Sequence, residues 1–545
     1  MTSAQLDRFV HERLPAPAQM PELLFDRPEL RFAEQINWVE DLLDKAPIKG
    51  YGARPMLRSD SLTLSYHQAR EQVDRIAHVL VQDLGLLPGN RVLLRGGNSV
   101  MMALGMLAVM KAGLVAVATM PLLRAKELGD IIDKAQPVAA LCDTGLLQEL
   151  TLAQAQHPVL ITIVGFNAPD GANAADSLEA RCAPKLGAFP ACPTEGTDIA
   201  LLAFTSGTTG KPKAAVHTHR DVLAACETWP RHVLRATSDD IVMGSPPLAF
   251  TFGLGGMLVF PMWAGASVYF PSIAYTPEAM ARLMFDAGAT ICYTAPTFYR
   301  QMAPHLQALV EQRGRPPLRI CVSAGEALPD ATRELWRQAS GIEILDGIGA
   351  TEMFHIFVSS PPDQVRHGAI GKVVPGYTTK VVDEAGVEVP LGTVGKLAVI
   401  GPTGCKYLDD ARQTNYVRDG WNYPGDAFLQ DADGYLFYQA RTDDMIITSG
   451  YNVGAPEVED ALLQHEAVAE CAVVGLPDDQ RGMRIKAFCV LRPGFSPDAA
   501  MARQLQDHVK STIAPYKYPR EVEFVAAMPR TETGKLQRFK LKASS

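Results

Sequence analysis

The sequence lacks any segment built to enter or cross a membrane. Its N-terminal run MTSAQLDRFVHERLPAP mixes acids and bases and has no apolar stretch of signal-peptide type, so no leader is expected. One stretch, Val100 to Met120, has the length of a bilayer span, but Lys111 and Gly113 interrupt it. Helix formers come before that break and a β-branched run comes after it. The stretch therefore reads as a buried helix, a turn and a buried strand. Positive charge is not in excess either: 51 Lys and Arg stand against 60 Asp and Glu, a net charge of −9. This argues against nucleic acid or an anionic membrane as partner. The nine cysteines form no C-x-x-C pair and no Cys/His cluster. Reduced thiols in a cytoplasmic protein are expected, without a zinc site or a disulfide frame. No repeat or low-complexity tract is evident.

What is present is a chain of 545 residues, 47% hydrophobic, long enough for several cores. Between residues 60 and 142 helical and strand patterns alternate: YHQAREQVDRIAHVLVQDLG, NRVLLRGG, the helix and strand just described, RAKELGDIIDKAQ and PVAALCD. Such alternation predicts an α/β region with a mostly parallel sheet. It resumes at DIALLAFTS and again at RICVSAGEAL. After about residue 365 short strands separated by Gly, Pro and Asp predict an antiparallel β region. Beyond ARTDDMIITSGYNV the pattern becomes helix, strand, strand, helix, a small α+β domain. The expected boundary is Asp443, giving domains 1–442 and 443–545.

TSGTTGKPK, Thr205 to Lys213, carries the clearest chemical signal. A Walker loop needs four residues between its glycines and a Ser or Thr after the lysine. Here two residues separate Gly207 from Gly210, and Pro212 follows Lys211. Pro212 also disfavours helix at Lys211, and the run KAAVHT reads as a strand, so the context is strand–loop–strand. The loop still suits polyphosphate. Gly207 and Gly210 let backbone N–H groups approach closely, Thr205, Ser206, Thr208 and Thr209 offer hydroxyls, and Lys211 and Lys213 bring positive charge.

This stretch resembles the phosphate loop of the adenylate-forming superfamily, which includes acyl- and aryl-CoA synthetases, peptide-synthetase adenylation domains and luciferases. The superfamily's other motifs follow in order across nearly the whole chain. SAGEAL supplies Ala324, Gly325 and Glu326, similar to the segment against the adenine. DGIGATEM supplies Asp346, Gly347, Ile348, Thr351 and Glu352, similar to the nucleotide and magnesium motif; many relatives carry Tyr where Ile348 stands. YPGDAF supplies Asp426 and ARTDDMI supplies Arg441, both at ribose-contact positions, with Asp443 at the hinge. PRTETGKLQR supplies Lys535, the catalytic lysine position. TSGYNV supplies Gly450, Tyr451 and Asn452, similar to the wall of the pantetheine tunnel. The resemblance implies an α/β fold: a large N-terminal domain of mixed parallel sheets flanked by helices, with a β-barrel-like subdomain, and a small α+β C-terminal domain on a hinge. It implies ATP, Mg²⁺ and coenzyme A as reactants or cofactors. The implied catalytic groups are Lys535 as clamp and electrophile, Thr351 as α-phosphate donor and Glu352 as metal ligand.

The segments PPLAFTFGLGGML and DGIGATEMFHIF bear on the acid. The first is apolar, aromatic and glycine-rich, which suits a flat hydrophobic ligand, with a plain buried helix start as the alternative. DGIGATEMFHIF and the N-terminal PELLFDRPELRFAEQINWVEDLLD resemble benzoate-CoA ligase and its 2-aminobenzoate relatives. That resemblance places the aryl pocket at Thr251, Phe252, Ala324, Gly325, Gly349, His355 and Ile356. Benzoate ligases tend to have Ala-Tyr where Thr251-Phe252 stand, and a threonine hydroxyl could accept a hydrogen bond from an ortho amino group. The expected acid is 2-aminobenzoate, with benzoate or another aryl or short acyl acid as alternative. His355 reads either as a substrate contact or as a core histidine. An enzyme loading a carrier protein, a luciferase-like oxygenase and a non-catalytic relative are the rival readings. A monomer or homodimer is expected.

Overall fold

The computed structural model describes residues 3–169, 176–205, 212–442, 445–448, 451–478, 482–530 and 536–543, with backbone alone at 447, 451, 452 and 482. Four sheets organise the chain. The first has strands in the order Thr162–Phe166, Ala139–Asp143, Arg91–Arg95, Val115–Thr119, Ile199–Thr205 and Lys213–Thr218. All its pairs are parallel except the last. The stretch that resembled a membrane span is helix Val100–Lys111, a turn with Gly113 at φ +73°, and strand Val115–Thr119. Its charge is accounted for. The Lys111 ammonium is buried, 2.7 Å from Asp44 and in direct contact with Asp74. Among the described residues no helix is long and apolar enough to cross a membrane.

The second sheet has nine strands, in the order Lys372–Val373, Ile356–Ser359, Ile344–Gly349, Ile320–Ser323, Ile291–Thr294, Ile241–Gly244, Ser267–Tyr269, Pro55–Arg58 and Thr63–Ser65. Its inner pairs are parallel and both ends are antiparallel. One hydrophobic cluster runs between the first two sheets, with Met106 and Leu141 on one side and Ile291 and Leu345 on the other.

The third sheet is the glycine-punctuated region. Strand Gly395–Ile400 pairs antiparallel with Thr378–Val382, Trp421–Asn422 and Asp426–Gln430, and Asp426–Gln430 pairs with Leu436–Arg441. The barrel-like region is thus an antiparallel sheet along an open path. The fourth sheet holds Ile446–Thr448, Tyr451–Val453, Val468–Asp478, Gly482–Leu491 and Glu521–Phe524. Side chains alternate across its long hairpin. Val473, Ile485 and Ala487 pack under helices Ala455–Leu463 and Ala499–Thr512, while Ala472, Val474 and Phe488 pack under helix Arg538–Ala543. The expected helix–strand–strand–helix order is present, and an edge hairpin, the strand Glu521–Phe524 and a last helix are added to it.

Candidate active site

Two strands deliver the ends of the phosphate segment. Thr205 ends strand Ile199–Thr205 directly opposite Lys213, which opens strand Lys213–Thr218. Ser206, Gly207, Thr208, Thr209, Gly210 and Lys211 lie outside the described residues. The Thr205 hydroxyl is buried and finds no hydrogen-bond partner among the described residues. Lys213 Nζ donates to the Tyr407 hydroxyl at 2.7 Å and lies 3.6 Å from Glu352 Oε1. The Tyr407 hydroxyl in turn donates to that same Glu352 oxygen. Burial and the Glu352 charge push the phenol far above its ordinary range, so it stays a donor. Thr351 and Glu352 occupy the short turn Thr351–Met353. His217, fully buried on the phosphate strand, donates from Nε2 to the Thr351 carbonyl at 2.7 Å. Burial pushes His217 down to about 4, so this donor is a neutral imidazole. Phe354 closes the turn at φ +70°, a left-handed backbone costly for a residue with a side chain. Its ring stands edge-on to His217, 5.3 Å between centroids.

The adenine and ribose candidates lie at the carboxyl edge of the second sheet and on the third. Ser323 pairs with Asp346 in parallel register, so Ala324–Glu326 leave the end of their strand beside Gly347–Gly349, which continue strand Ile344–Gly349. That edge is where open α/β sheets bind ligands. Gly325 is left-handed at φ +92°, and Glu326 accepts from the Thr297 hydroxyl at 3.0 Å. Asp346 is buried, accepts from the Gly347 N–H at 2.9 Å, and has its carboxyl lifted by burial to about 7. A Cβ at Gly349 would lie 2.6 Å from the His355 carbonyl oxygen, so this position requires glycine. Asp426 and Arg441 face each other across an antiparallel pair, with Arg441 Nη1 3.1 and 3.2 Å from the two carboxylate oxygens. Tyr416, buried between these groups, is raised by burial and then by the charges of Glu352 and Asp426.

The acid-pocket candidates converge on an aromatic box. Thr251 and Phe252 open helix Thr251–Leu254, so the segment is both a helix start and a pocket wall. His355 stands 5.5 Å from the Phe252 ring, 4.6 Å from Phe260 and 5.2 Å from Trp229, and Phe252 lies 5.8 Å from Tyr293. Glycines admit this packing: a Cβ at Gly255 would meet His355 at 2.6 Å, and one at Gly256 would meet Tyr293 at 2.7 Å. Burial holds His355 down at about 3, against a smaller pull from the Phe252 backbone, and among the described residues neither ring nitrogen has a hydrogen-bond partner of ordinary geometry. The box is therefore uncharged. Beside Thr251 lies a cavity of about 10 Å³ bordered by Met106, Ala203, Leu248, Phe250 and Leu254. Ile356 is buried at the start of the next strand.

Comparison with known proteins fits this geometry. The family described as AMP-binding enzyme matches residues 45–406, and the AMP-binding enzyme C-terminal domain matches residues 457–535. The chain belongs to the AMP-binding enzyme family. It is 36% identical to a benzoate–CoA ligase of Thauera aromatica, over 95% of this chain and 98% of that one. It is 32% identical to a 4-hydroxybenzoate–CoA/benzoate–CoA ligase of Rhodopseudomonas palustris, over 93% and 94%. Among solved structures, an anthranilate CoA ligase in complex with anthranoyl-AMP matches with TM-score 0.89 and 34% identity, covering 95% of this chain and 99% of that one. A benzoate CoA ligase from Burkholderia xenovorans matches with TM-score 0.82 and 31% identity, covering 93% and 100%. Family and relatives together make the chain an AMP-forming acid–CoA ligase.

Several candidates of this AMP-binding enzyme cannot be placed. Lys535, Asp443 and Gly450 lie outside the described residues, and Tyr451 and Asn452 are given by backbone alone, in strand Tyr451–Val453. Among the described residues no group of three or more His, Cys, Asp or Glu side chains is gathered to hold a metal. Glu352 is a single buried carboxylate next to the phosphate strand. Magnesium takes one or two carboxylates together with phosphate oxygens and water, so the residues fit an ion arriving on ATP. Sequence reasoning missed Tyr407, His217, Trp229, Phe260 and Tyr293. None of them belongs to a motif quoted from the sequence, and nothing in their spacing marks them.

Proposed function

We propose that this ligase activates an aromatic carboxylic acid, 2-aminobenzoate being the best fit, and transfers the acyl group to coenzyme A. In the first half-reaction a carboxylate oxygen attacks the α-phosphorus of ATP and pyrophosphate leaves. In the second the CoA thiolate attacks the acyl carbonyl and AMP leaves. Such chemistry needs positioning and charge stabilisation more than covalent help. Thr205 and Lys213 would hold the departing phosphates, with Ser206 to Lys211. Thr351 would donate to the α-phosphate. Glu352 would hold magnesium, whose charge offsets that building on the phosphate oxygens. Asp426 and Arg441 would take the ribose, and Ala324, Gly325, Glu326, Asp346, Gly347 and Ile348 the base. Lys535 would bridge substrate carboxylate and α-phosphate, then give way to Gly450, Tyr451 and Asn452 as residues 443–545 turn about Asp443 against residues 1–442.

The observation that carries the reading is the convergence of Lys213 and Glu352 on Tyr407 beside a neutral aromatic box. An uncharged box suits an aryl ring and leaves the substrate carboxylate to the phosphate side. The Thr251 hydroxyl, next to Phe252 at the start of helix Thr251–Leu254, could accept a hydrogen bond from an ortho amino substituent. The likeness to an anthranilate CoA ligase supports the same acid. Benzoate is the second reading, favoured by the 36% identity to a benzoate–CoA ligase. Measuring kcat/KM for both acids in the wild type and Thr251→Ala separates them. The proposal expects 2-aminobenzoate to be preferred and about a tenfold loss of that preference in the variant, the worth of one hydrogen bond. An unchanged preference removes Thr251, and a wild-type preference for benzoate removes the amino acid.

A further inference from the structure

Two charged residues from distant parts of the sequence, Lys213 and Glu352, share one neutral partner. Lys213 gives a hydrogen bond to the Tyr407 hydroxyl, and that hydroxyl gives its own to Glu352 Oε1. The ammonium also stands 4.8 Å from the centre of the Tyr407 ring. Lys213 Nζ and Glu352 Oε1 are left 3.6 Å apart, beyond the roughly 2.7–2.9 Å of a charge-assisted hydrogen bond. Tyr407 itself is fixed from elsewhere. Its N–H donates to Gln413 Oε1 at 2.9 Å, its backbone bridges to Ala215, and its ring is edge-on to Tyr416 at 5.8 Å. The neighbouring Lys406 is occupied by buried Asp221. The hydroxyl therefore sits where the fold puts it, between the two charges.

We propose that Tyr407 is a positioning residue for the first half-reaction: its hydroxyl keeps the Lys213–Glu352 pair loose, at 3.6 Å and without a direct hydrogen bond, and holds both groups ready for the polyphosphate. Without it the loose, part-buried pair would tighten into a direct hydrogen-bonded one, and ATP would have to break that pair before binding. The inference rests on the assignment of Glu352 to magnesium and Lys213 to the departing phosphates. Tyr407→Phe keeps the ring and removes the hydroxyl alone.

The test uses the full-length enzyme and reads both half-reactions and ATP binding. Pyrophosphate exchange in Tyr407→Phe is expected to fall about tenfold or more, chiefly through a raised KM for magnesium-ATP. Thioester formation from preformed acyl-adenylate should stay within about twofold of wild type. Calorimetric ATP binding, with saturating magnesium and with chelator, gives the readout that does not depend on turnover. The affinity gained from magnesium should shrink in Tyr407→Phe and return in Tyr407→Phe/Lys213→Met, where no lysine is left to capture Glu352. Glu352→Gln is the control. If it keeps the full magnesium gain, the metal assignment fails. If it loses the gain while Tyr407→Phe retains wild-type KM, kcat and gain, the inference about Tyr407 is overturned. An equal fall in both half-reactions of Tyr407→Phe overturns it as well, since that marks a general structural role.

Discussion

His217 shows how a single residue can tie the phosphate strand to the metal motif. Its one donor goes to the Thr351 carbonyl, and that carbonyl belongs to the residue proposed to meet the α-phosphate. That carbonyl also accepts from the Phe354 N–H at 3.1 Å, so His217→Phe should remove one of its two hydrogen bonds, costing about 0.5–1.5 kcal/mol of stability in denaturant titration, with adenylation falling more than thioester transfer. The same residue forms part of an acid response. His217 and His219 are pushed down to about 4 and His355 to about 3, all by burial, from an ordinary 6.5. The folded protein resists protonating them while the unfolded chain accepts the protons. Their contribution is thus present above pH 6.5 and is lost as pH falls toward 4. Thermal midpoints measured between pH 7 and pH 4 should drop, and His355→Phe should flatten part of that slope; an identical slope would remove His355 from the set. None of this was legible in sequence. His217 sits in AAVHTH, where a buried histidine and an exposed one look alike, and its tautomer depends on a carbonyl far along the chain. His355 was read as substrate contact or core histidine, and the structure makes it a wall of an aromatic box, compatible with both.

Elements were more legible, because their patterns are local. The break at Lys111 and Gly113 predicted helix, turn and strand, and the structure has them at those residues. KAAVHT was read as a strand after a proline, and it is one, antiparallel to the strand ahead of the loop. What a local pattern does not carry is the partner of a charge. Lys111 is neutralised by Asp44 and Asp74, two helical residues that precede it by many turns of chain. Lys111→Met should therefore destabilise the protein by about 3–5 kcal/mol in denaturant unfolding, because two carboxylates lose their buried cation. A cost under about 1 kcal/mol, the range of surface pairs, would show that water screens the cluster. The open antiparallel sheet after residue 365 marks the same limit. Glycines and short strands announced antiparallel β structure, but the three-way pairing of Gly395–Ile400 depends on long-range register.

At the scale of the whole molecule, the contacts between the described residues of the α+β unit and those of the larger one include helix ends and an ion pair. Asp460, from helix Ala455–Leu463, accepts from the Ala331 N–H at 3.3 Å, at the start of helix Asp330–Ser340, which makes no side-chain cap of its own. Arg300 donates to the Leu463 carbonyl at 3.4 Å, the last residue of that same helix. Arg530 lies 3.3 Å from Glu326, within the adenine candidate segment and five residues before Lys535. Helix ends carry opposite partial charges, so an acid at one start and a base at one end are each favourable. Asp460→Ala with Arg530→Ala should loosen this arrangement. The double variant is expected to lose about tenfold or more in pyrophosphate exchange and little in thioester formation from preformed adenylate; equal losses would contradict a role in orienting the domain for the first step. The order of the motifs was visible in sequence, whereas these cross-contacts depend on how separately folded units meet. The central claim, an aryl-acid CoA ligase acting through an adenylate, is tested most directly by incubating the enzyme with ATP, magnesium, CoA and a panel of benzoates and short aliphatic acids, with products read by mass. The account predicts an aryl-CoA with matching AMP, greatest for 2-aminobenzoate, and no CoA thioester from the aliphatic acids. Aliphatic thioesters alone, or AMP released with no thioester from any aryl acid, would contradict it.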